Sequence, residues 1–298
     1  CANGLISVVI ISLLGRVLAA FMMGKRDLQD GKSGAALNYI LEAISFCSVS
    51  ADGSISLSKL VGDMYSFLAS FPTALFEDED TPAGSEALLE KHLEKVARGS
   101  EFFASALHKV DTCLGDESID ELRASLVCDK AVNLLLQGTL AAQWSQLKSD
   151  DCAGHQAIRT IFSRAQDEIV EALRSDPLSA SSWCGLGCAL IGEPIKAQHC
   201  FSRAIDLDPS SSDSYANLGF LYLNGGAFSE ARLICDVLTQ VADTPMTWVS
   251  RARALEAKAI ENEGKGPSEI IQVTDAYRAS LQVQKEPFSL LGLAASLR

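Results

Sequence analysis

Apolar and polar positions alternate with helical spacing through the middle of the chain, and they do so twice in the same register. In residues 183–209, Trp183, Leu186 and Gly187 fall on one face of a helix, since positions three and four apart sit above one another. Gly187 lets a neighbouring helix approach closely. Ala197, Phe201 and Ala204 form the answering stripe of a second helix, with small residues at the crossing and Phe201 filling the gap. Pro209 cannot continue that helix, and "DPSSSD" supplies a turn and the N-cap of the next one. Tyr215, Leu218, Gly219, Tyr222 and Ala231 then repeat the pattern. Each unit therefore predicts a helical hairpin.

The phase extends outward. Upstream, Ala165, Ile169, Ala172 and Pro177 have the spacing of a second repeat helix. Downstream, Trp248 opens a helix with Ala252 and Leu255, the insertion "NEGKGPSE" intervenes, and "AYRASL" answers. Phe288, Leu291 and Gly292 begin a further unit that the chain end truncates, so the chain reads as a fragment of a longer array. Residues 153–298 are expected to form one continuous repeat array. The first half is more degenerate. Residues 1–75 predict repeat-like hairpins, with Ala36, Ile40 and Ala43 at repeat spacing and Tyr65 in "LSKLVGDMYSFLASF". The acidic stretch 76–86, "FEDEDTPAGSE", predicts an exposed, mobile loop. Residues 87–152 predict further degenerate repeats, with helices over 86–110, 117–147 and 153–175.

The order Trp-x2-Leu-Gly-x2-Tyr, then Ala-x3-Phe-x2-Ala, then Pro resembles the tetratricopeptide repeat (TPR). The second unit keeps that spacing from Gly219 to Ala231; the first is two residues shorter between Gly187 and Ala197, a loss absorbed by the turn "IGEP". The resemblance implies an all-α fold, a right-handed α-solenoid of helical hairpins.

Composition agrees with helices: the chain of 298 residues is 48% hydrophobic but only 7% aromatic. A net charge of −13 disfavours direct contact with phosphate backbones or anionic lipids. Nine cysteines, odd in number and set mostly in apolar runs, suit a reducing compartment, cytoplasmic or also nuclear. The opening "GLISVVIISLLGRVLAAFMMG" is interrupted by Arg16, short of the roughly 20 uninterrupted apolar residues a spanning helix needs. Cys-Ala-Asn-Gly also lacks the basic start of a signal peptide. A buried solenoid helix is expected there, and no membrane association.

Candidate chemistry is sparse. Cys184, Cys188, His199 and Cys200 raise the question of zinc, but structural zinc sites gather cysteines around a tight knuckle, whereas these spread along regular helices. "DGKSG" at 30–34 imitates the end of a phosphate-binding loop, yet Arg26 stands where that loop needs its first Gly. The four histidines are scattered and no serine lies in a Gly-x-Ser-x-Gly elbow. No catalytic residue, metal ligand or cofactor is expected. A metal-regulated module using the 184–200 cysteines remains the competing reading to a protein-interaction scaffold.

"AQHCF" (Ala197 to Phe201), "NLGFLYL" (Asn217 to Leu223) and "KLVGD" (Lys59 to Asp63) are similar to strings in the large TPR subunits of Ski (superkiller) complexes. That resemblance implies a cytoplasmic scaffold holding an RNA helicase and WD-repeat subunits for exosome-mediated 3′-to-5′ mRNA decay. An adaptor for transport or ubiquitin-ligase assembly is the alternative. Some TPR proteins grip a partner's C-terminal carboxylate with Lys, Arg and Asn, but the corresponding helices here offer Cys184, Cys188, Ala216, Asn217 and Phe220. An apolar or helical partner surface fits better. Asn217, Phe220 and Asn224, with Arg253 on the next unit, are the candidate contact residues.

Overall fold

The computed structural model describes Met23 and residues 33–48, 54–71, 73–76, 85–112, 117–147, 152–261, 266–283 and 287–296. Among the described residues the regular structure is entirely helical. The opening apolar stretch apart from Met23, most of the acidic loop and the centre of the 261–268 insertion lie outside them, as do Asp30 to Lys32 of "DGKSG". The chain divides into two compact units, Cys1–Pro177 and Leu178–Arg298.

The first unit contains α1 (Ser33–Ser48), α2 (Ile55–Phe67), two short 3-10 turns (Leu68–Ser70 and Thr73–Phe76), α3 (Ser85–Asp111), α4 (Glu117–Leu147) and α5 (Cys152–Ser175). Each helix packs on the next, and α2 also reaches α4. Helices α3, α4 and α5 run 27, 31 and 24 residues, much longer than the helices of the second half, so repeat-sized hairpins are not the building block here. Helix α5, which the sequence joins to the downstream array, packs extensively on α4 in this first unit. The predicted stripe Ala165, Ile169 and Ala172 is its buried edge.

Packing also accounts for "KLVGD". Lys59 pairs with Asp129 of α4 and with Asp63 one turn along α2 at 3.4 Å. Gly62 lies under the Phe103 ring, where an added Cβ would stand 2.8 Å from ring carbons. Deeper in the unit, Asn133 is fully buried. Its amide nitrogen donates to Ser66 Oγ at 2.8 Å and to the Val96 carbonyl at 3.0 Å. Its carbonyl oxygen accepts from Ser100 Oγ at 2.7 Å and from Gln137 Nε2 at 2.6 Å. One side chain thus ties α2, α3 and α4 together through satisfied polar groups, which a buried amide requires.

His92 of α3 is buried against the 3-10 turns, donating from Nε2 to the Leu68 carbonyl at 2.8 Å with Thr73 Oγ1 at 3.4 Å from Nδ1. Burial, opposed by the Leu68 hydrogen bond, holds the imidazole below its usual pKa. The folded unit therefore binds fewer protons than the unfolded chain. The stabilisation is present above the unfolded value near 6.5 and is lost as pH falls through the folded one. Unfolding free energies measured with denaturant between about pH 7.5 and 5 should fall with acidification by up to about 1.4 kcal/mol per pH unit. His92→Gln, which keeps a donor for Leu68, should flatten that part of the slope; an unchanged slope would remove His92 as its source.

The second unit is built from shorter helices: α6 (Ala180–Ala189), α7 (Pro194–Leu207), α8 (Ser212–Asn224), α9 (Phe228–Val241), α10 (Pro245–Glu261), α11 (Pro267–Val283) and α12 (Pro287–Ser296). Pro stands at the first position of α7, α10, α11 and α12, where its missing N–H has no intrahelical partner to lose. Ser179 Oγ accepts from the Ser182 amide at 3.2 Å and caps α6. The N-cap expected in "DPSSSD" is Ser211, but its hydroxyl engages that of Ser214 at 2.9 Å instead of a backbone N–H. Gly226, at φ 77°, turns the chain from α8 into α9, a left-handed conformation that favours glycine.

Consecutive helices α6 to α12 pack in pairs along the unit. The signature positions behave as their spacing predicts. Ala197, Phe201, Ala204, Leu218, Ala231 and Ala252 are buried, and Leu186 nearly so, while Trp183, Tyr215 and Tyr222 are half-buried. Gly187 carries the closest approach of the paired helices α6 and α7, since an added Cβ would lie 2.5 Å from the Phe201 ring.

Candidate partner-binding face

First helices of successive hairpins touch one another in this unit: α6 meets α8, α8 meets α10, and α10 meets α12. Second helices α7 and α9 do not approach to the same degree. Closer spacing on one side puts the first helices on the inner side of the stack, so the residues they present define its inner face.

Counting from the aromatic that opens each first helix (Trp183, Tyr215, Trp248), the residue five places on is Cys188 in α6, Phe220 in α8 and Arg253 in α10. These three occupy one equivalent line across the face. Phe220 is 53% exposed, a large aromatic with no internal burial to explain it. Asn224 lies one turn beyond Phe220 at the exposed end of α8. Arg253 is exposed, and its charge acts on Tyr277 of α11, whose phenol is pushed up to about 12 by burial and by neighbouring Glu256.

Asn217 is different. It is half-buried, and its amide donates to both Cys184 Sγ and Cys188 Sγ at 3.4 Å. It therefore staples α8 to α6. Cys188 and Ser214 are further polar neighbours of Cys184. The neighbouring Cys188 thiol, aided by Ser214 and Asn217 against burial, lowers the Cys184 pKa; Cys184, with burial, raises that of Cys188. The zinc set considered from sequence is dispersed. Cys200 is buried within α7, and His199 is exposed with its ring 6.3 Å from that of Trp183 in an edge contact. Among the described residues no three His, Cys, Asp or Glu side chains gather as a metal site.

Other polar groups on the unit serve packing. Gln198 Nε2 donates to Tyr222 Oη at 3.1 Å, joining α7 to α8. Asp236 of α9 accepts from Arg232 at 2.9 Å and from Arg251 of α10 at 2.6 Å, and Arg251 stacks over Trp248.

Residues 200–232, from the middle of α7 into α9, match the family described as tetratricopeptide repeat. Residues 200–232 thus have the pattern of a tetratricopeptide repeat. The matched TPR segment includes Phe201, Ala204, Pro209, Tyr215, Leu218, Gly219, Tyr222 and Ala231, the positions in which the signature is most regular. Among the described residues the fold is all-α, and the matched repeat lies in the second unit. Among solved structures, the chain is similar to the thermophilic TPR protein TTC0263 of Thermus thermophilus, at 12% identity over 71% of this chain and 95% of that one, with a TM-score of 0.45. It is also similar to YrrB, described as a TPR protein with an unusual peptide-binding site, at 15% identity over 72% and 89% with a TM-score of 0.40. A third likeness is to the nuclear import adaptor Nro1 of S. pombe, at 11% identity over 95% and 98% with a TM-score of 0.44. No curated protein matches the sequence. No described helix is long and apolar enough to cross a membrane.

Phe220 and Arg253, the contact candidates named from sequence, hold the same place relative to Tyr215 and Trp248. The engagement of Asn217 by two thiols is not legible there, since those belong to α6, two helices earlier. The signal was present in the equivalent spacing of Cys184 and Cys188, one and five places after Trp183.

Proposed function

We propose that this chain is a non-catalytic interaction scaffold whose TPR inner face binds a segment of a partner protein. The observation that carries the reading is Phe220, half-exposed at the centre of the inner line between Cys188 and Arg253. An exposed aromatic flanked by a guanidinium offers an apolar anchor with a charged rim, the pattern of an interface hot spot. Asn224 and the outward edge of Asn217 supply polar contacts beside it. The partner's matching segment is apolar or helical, with an acidic group facing Arg253.

The finer reading is a Ski-type assembly, in which the chain holds an RNA helicase and WD-repeat subunits for cytoplasmic 3′-to-5′ mRNA decay. It is supported by the strings "AQHCF", "NLGFLYL" and "KLVGD", and by the net charge of −13, which leaves RNA contact to the partners. The test is affinity purification of the protein followed by mass spectrometry, with Phe220→Ala and Arg253→Glu in parallel. Stable recovery of an RNA helicase and WD-repeat proteins supports the Ski-type reading. Import factors or ubiquitin-ligase subunits in their place would replace it with an adaptor role. In either case Phe220→Ala should weaken binding about tenfold or more, a loss of about 1.4 kcal/mol. Undiminished recovery would move the interface off this face.

A further inference from the structure

We propose that Cys184 and Cys188 form a chelating dithiol that binds a trivalent arsenic centre on the inner face of α6. The two cysteines are four residues apart on one helix, so their side chains stand on adjacent turns of the same face. Both are part-exposed, whereas Cys47, Cys128, Cys200 and Cys235 are buried. Asn217 reaches across from α8 and donates to both sulfurs at 3.4 Å. That bridging amide holds the two sulfurs towards each other in a fixed cradle.

The number of ligands selects the occupant. Structural zinc takes four, and no third His, Cys, Asp or Glu joins this pair among the described residues. A mono-substituted arsenic(III) centre has two exchangeable positions and a strong preference for sulfur, so two thiols complete it. For an arylarsine oxide both As–S bonds form as the As=O bond breaks, and the two thiol protons leave with that oxygen as water. No oxidant or reductant is consumed. The helix also guards the dithiol against closing on itself. A disulfide needs Cβ atoms about 3.5–4.5 Å apart, while positions four apart on a helix stand about 5–6 Å apart. The larger arsenic atom spans the gap that a direct S–S bond does not.

The probe is phenylarsine oxide, added in slight excess to the full reduced chain, followed by alkylation with N-ethylmaleimide and peptide mapping. Cys184 and Cys188 are expected to be protected together, in an adduct of one arsenic per chain that 2,3-dimercaptopropanol removes and 2-mercaptoethanol does not. Protection of neither, or of only one, would overturn the proposal. This comparison uses the unaltered protein and so does not depend on how variants fold. Cys184→Ser and Cys188→Ser, checked for helicity by circular dichroism, should each abolish the adduct; its persistence in either would place the arsenic elsewhere. Partner binding is not a readout here, so failure would leave the scaffold reading untouched.

Discussion

Phe201→Ala should be among the most damaging single changes to the second unit, lowering its stability by about 3–5 kcal/mol. The ring is fully buried in α7 and fills the space left by Gly187 of α6, where an added Cβ would come within 2.5 Å of it. Truncation removes the transfer free energy of the ring and leaves a cavity walled by two helix backbones, which have little freedom to collapse inward. Because the loss falls between α6 and α7, it should appear first as faster amide exchange in those helices. Exchange monitored by mass spectrometry, with guanidinium unfolding followed through Trp183 and Trp248, would check it. A change below about 1 kcal/mol would mean that α6 and α7 close over the gap, contrary to the packing described. A compensating Gly187→Ala in the same chain should recover part of the loss, since the added methyl would occupy space the ring has vacated.

Asn133→Asp is expected to rival it in the first unit. The side chain is fully buried, and its amide nitrogen donates to Ser66 Oγ and to the Val96 carbonyl. A carboxylate has no proton for that carbonyl and would be buried with only hydroxyl and amide donors, without a cation. The cost near neutral pH should be about 3–5 kcal/mol, that of an uncompensated buried charge. The sign of its pH dependence is distinctive. Burial raises the folded pKa of the new carboxyl above its unfolded value of about 3.9, so the folded state holds its proton more tightly. Stability relative to the parent protein is therefore recovered as pH falls through the raised pKa, opposite to the effect of His92. Asn133→Leu would lose the same hydrogen bonds without adding charge, about 1–3 kcal/mol, and should show no such recovery. Urea midpoints for both variants across about pH 4 to 8 would separate the two causes.

Much of the second unit was legible because its information is local. Trp183 to Gly187 and Ala197 to Ala204 each lie within one helix, and helical spacing alone assigns them to a common face. Even in the first unit, the helices expected at 86–110, 117–147 and 153–175 appear as Ser85–Asp111, Glu117–Leu147 and Cys152–Ser175. What periodicity does not carry is which helix meets which. The Asn133 network draws on residues 66, 96, 100 and 137 from three helices, and no spacing along any one of them announces it. The buried stripe of α5 likewise has repeat spacing, while the surface that receives it within its own unit, the long helix α4, is not legible in that spacing. At the candidate site, the bond from Asn217 to the two thiols depends on the approach of α6 and α8, which no spacing along α8 announces.

The contacts of the second unit run almost entirely between helices one or two places apart. Under tension applied along the chain, such a stack has no central clasp that must break before the rest can yield. It should lengthen in small steps, a hairpin at a time, and recoil when the load is released. A partner seated along the first helices would join several of those steps, so occupancy should be felt as stiffness.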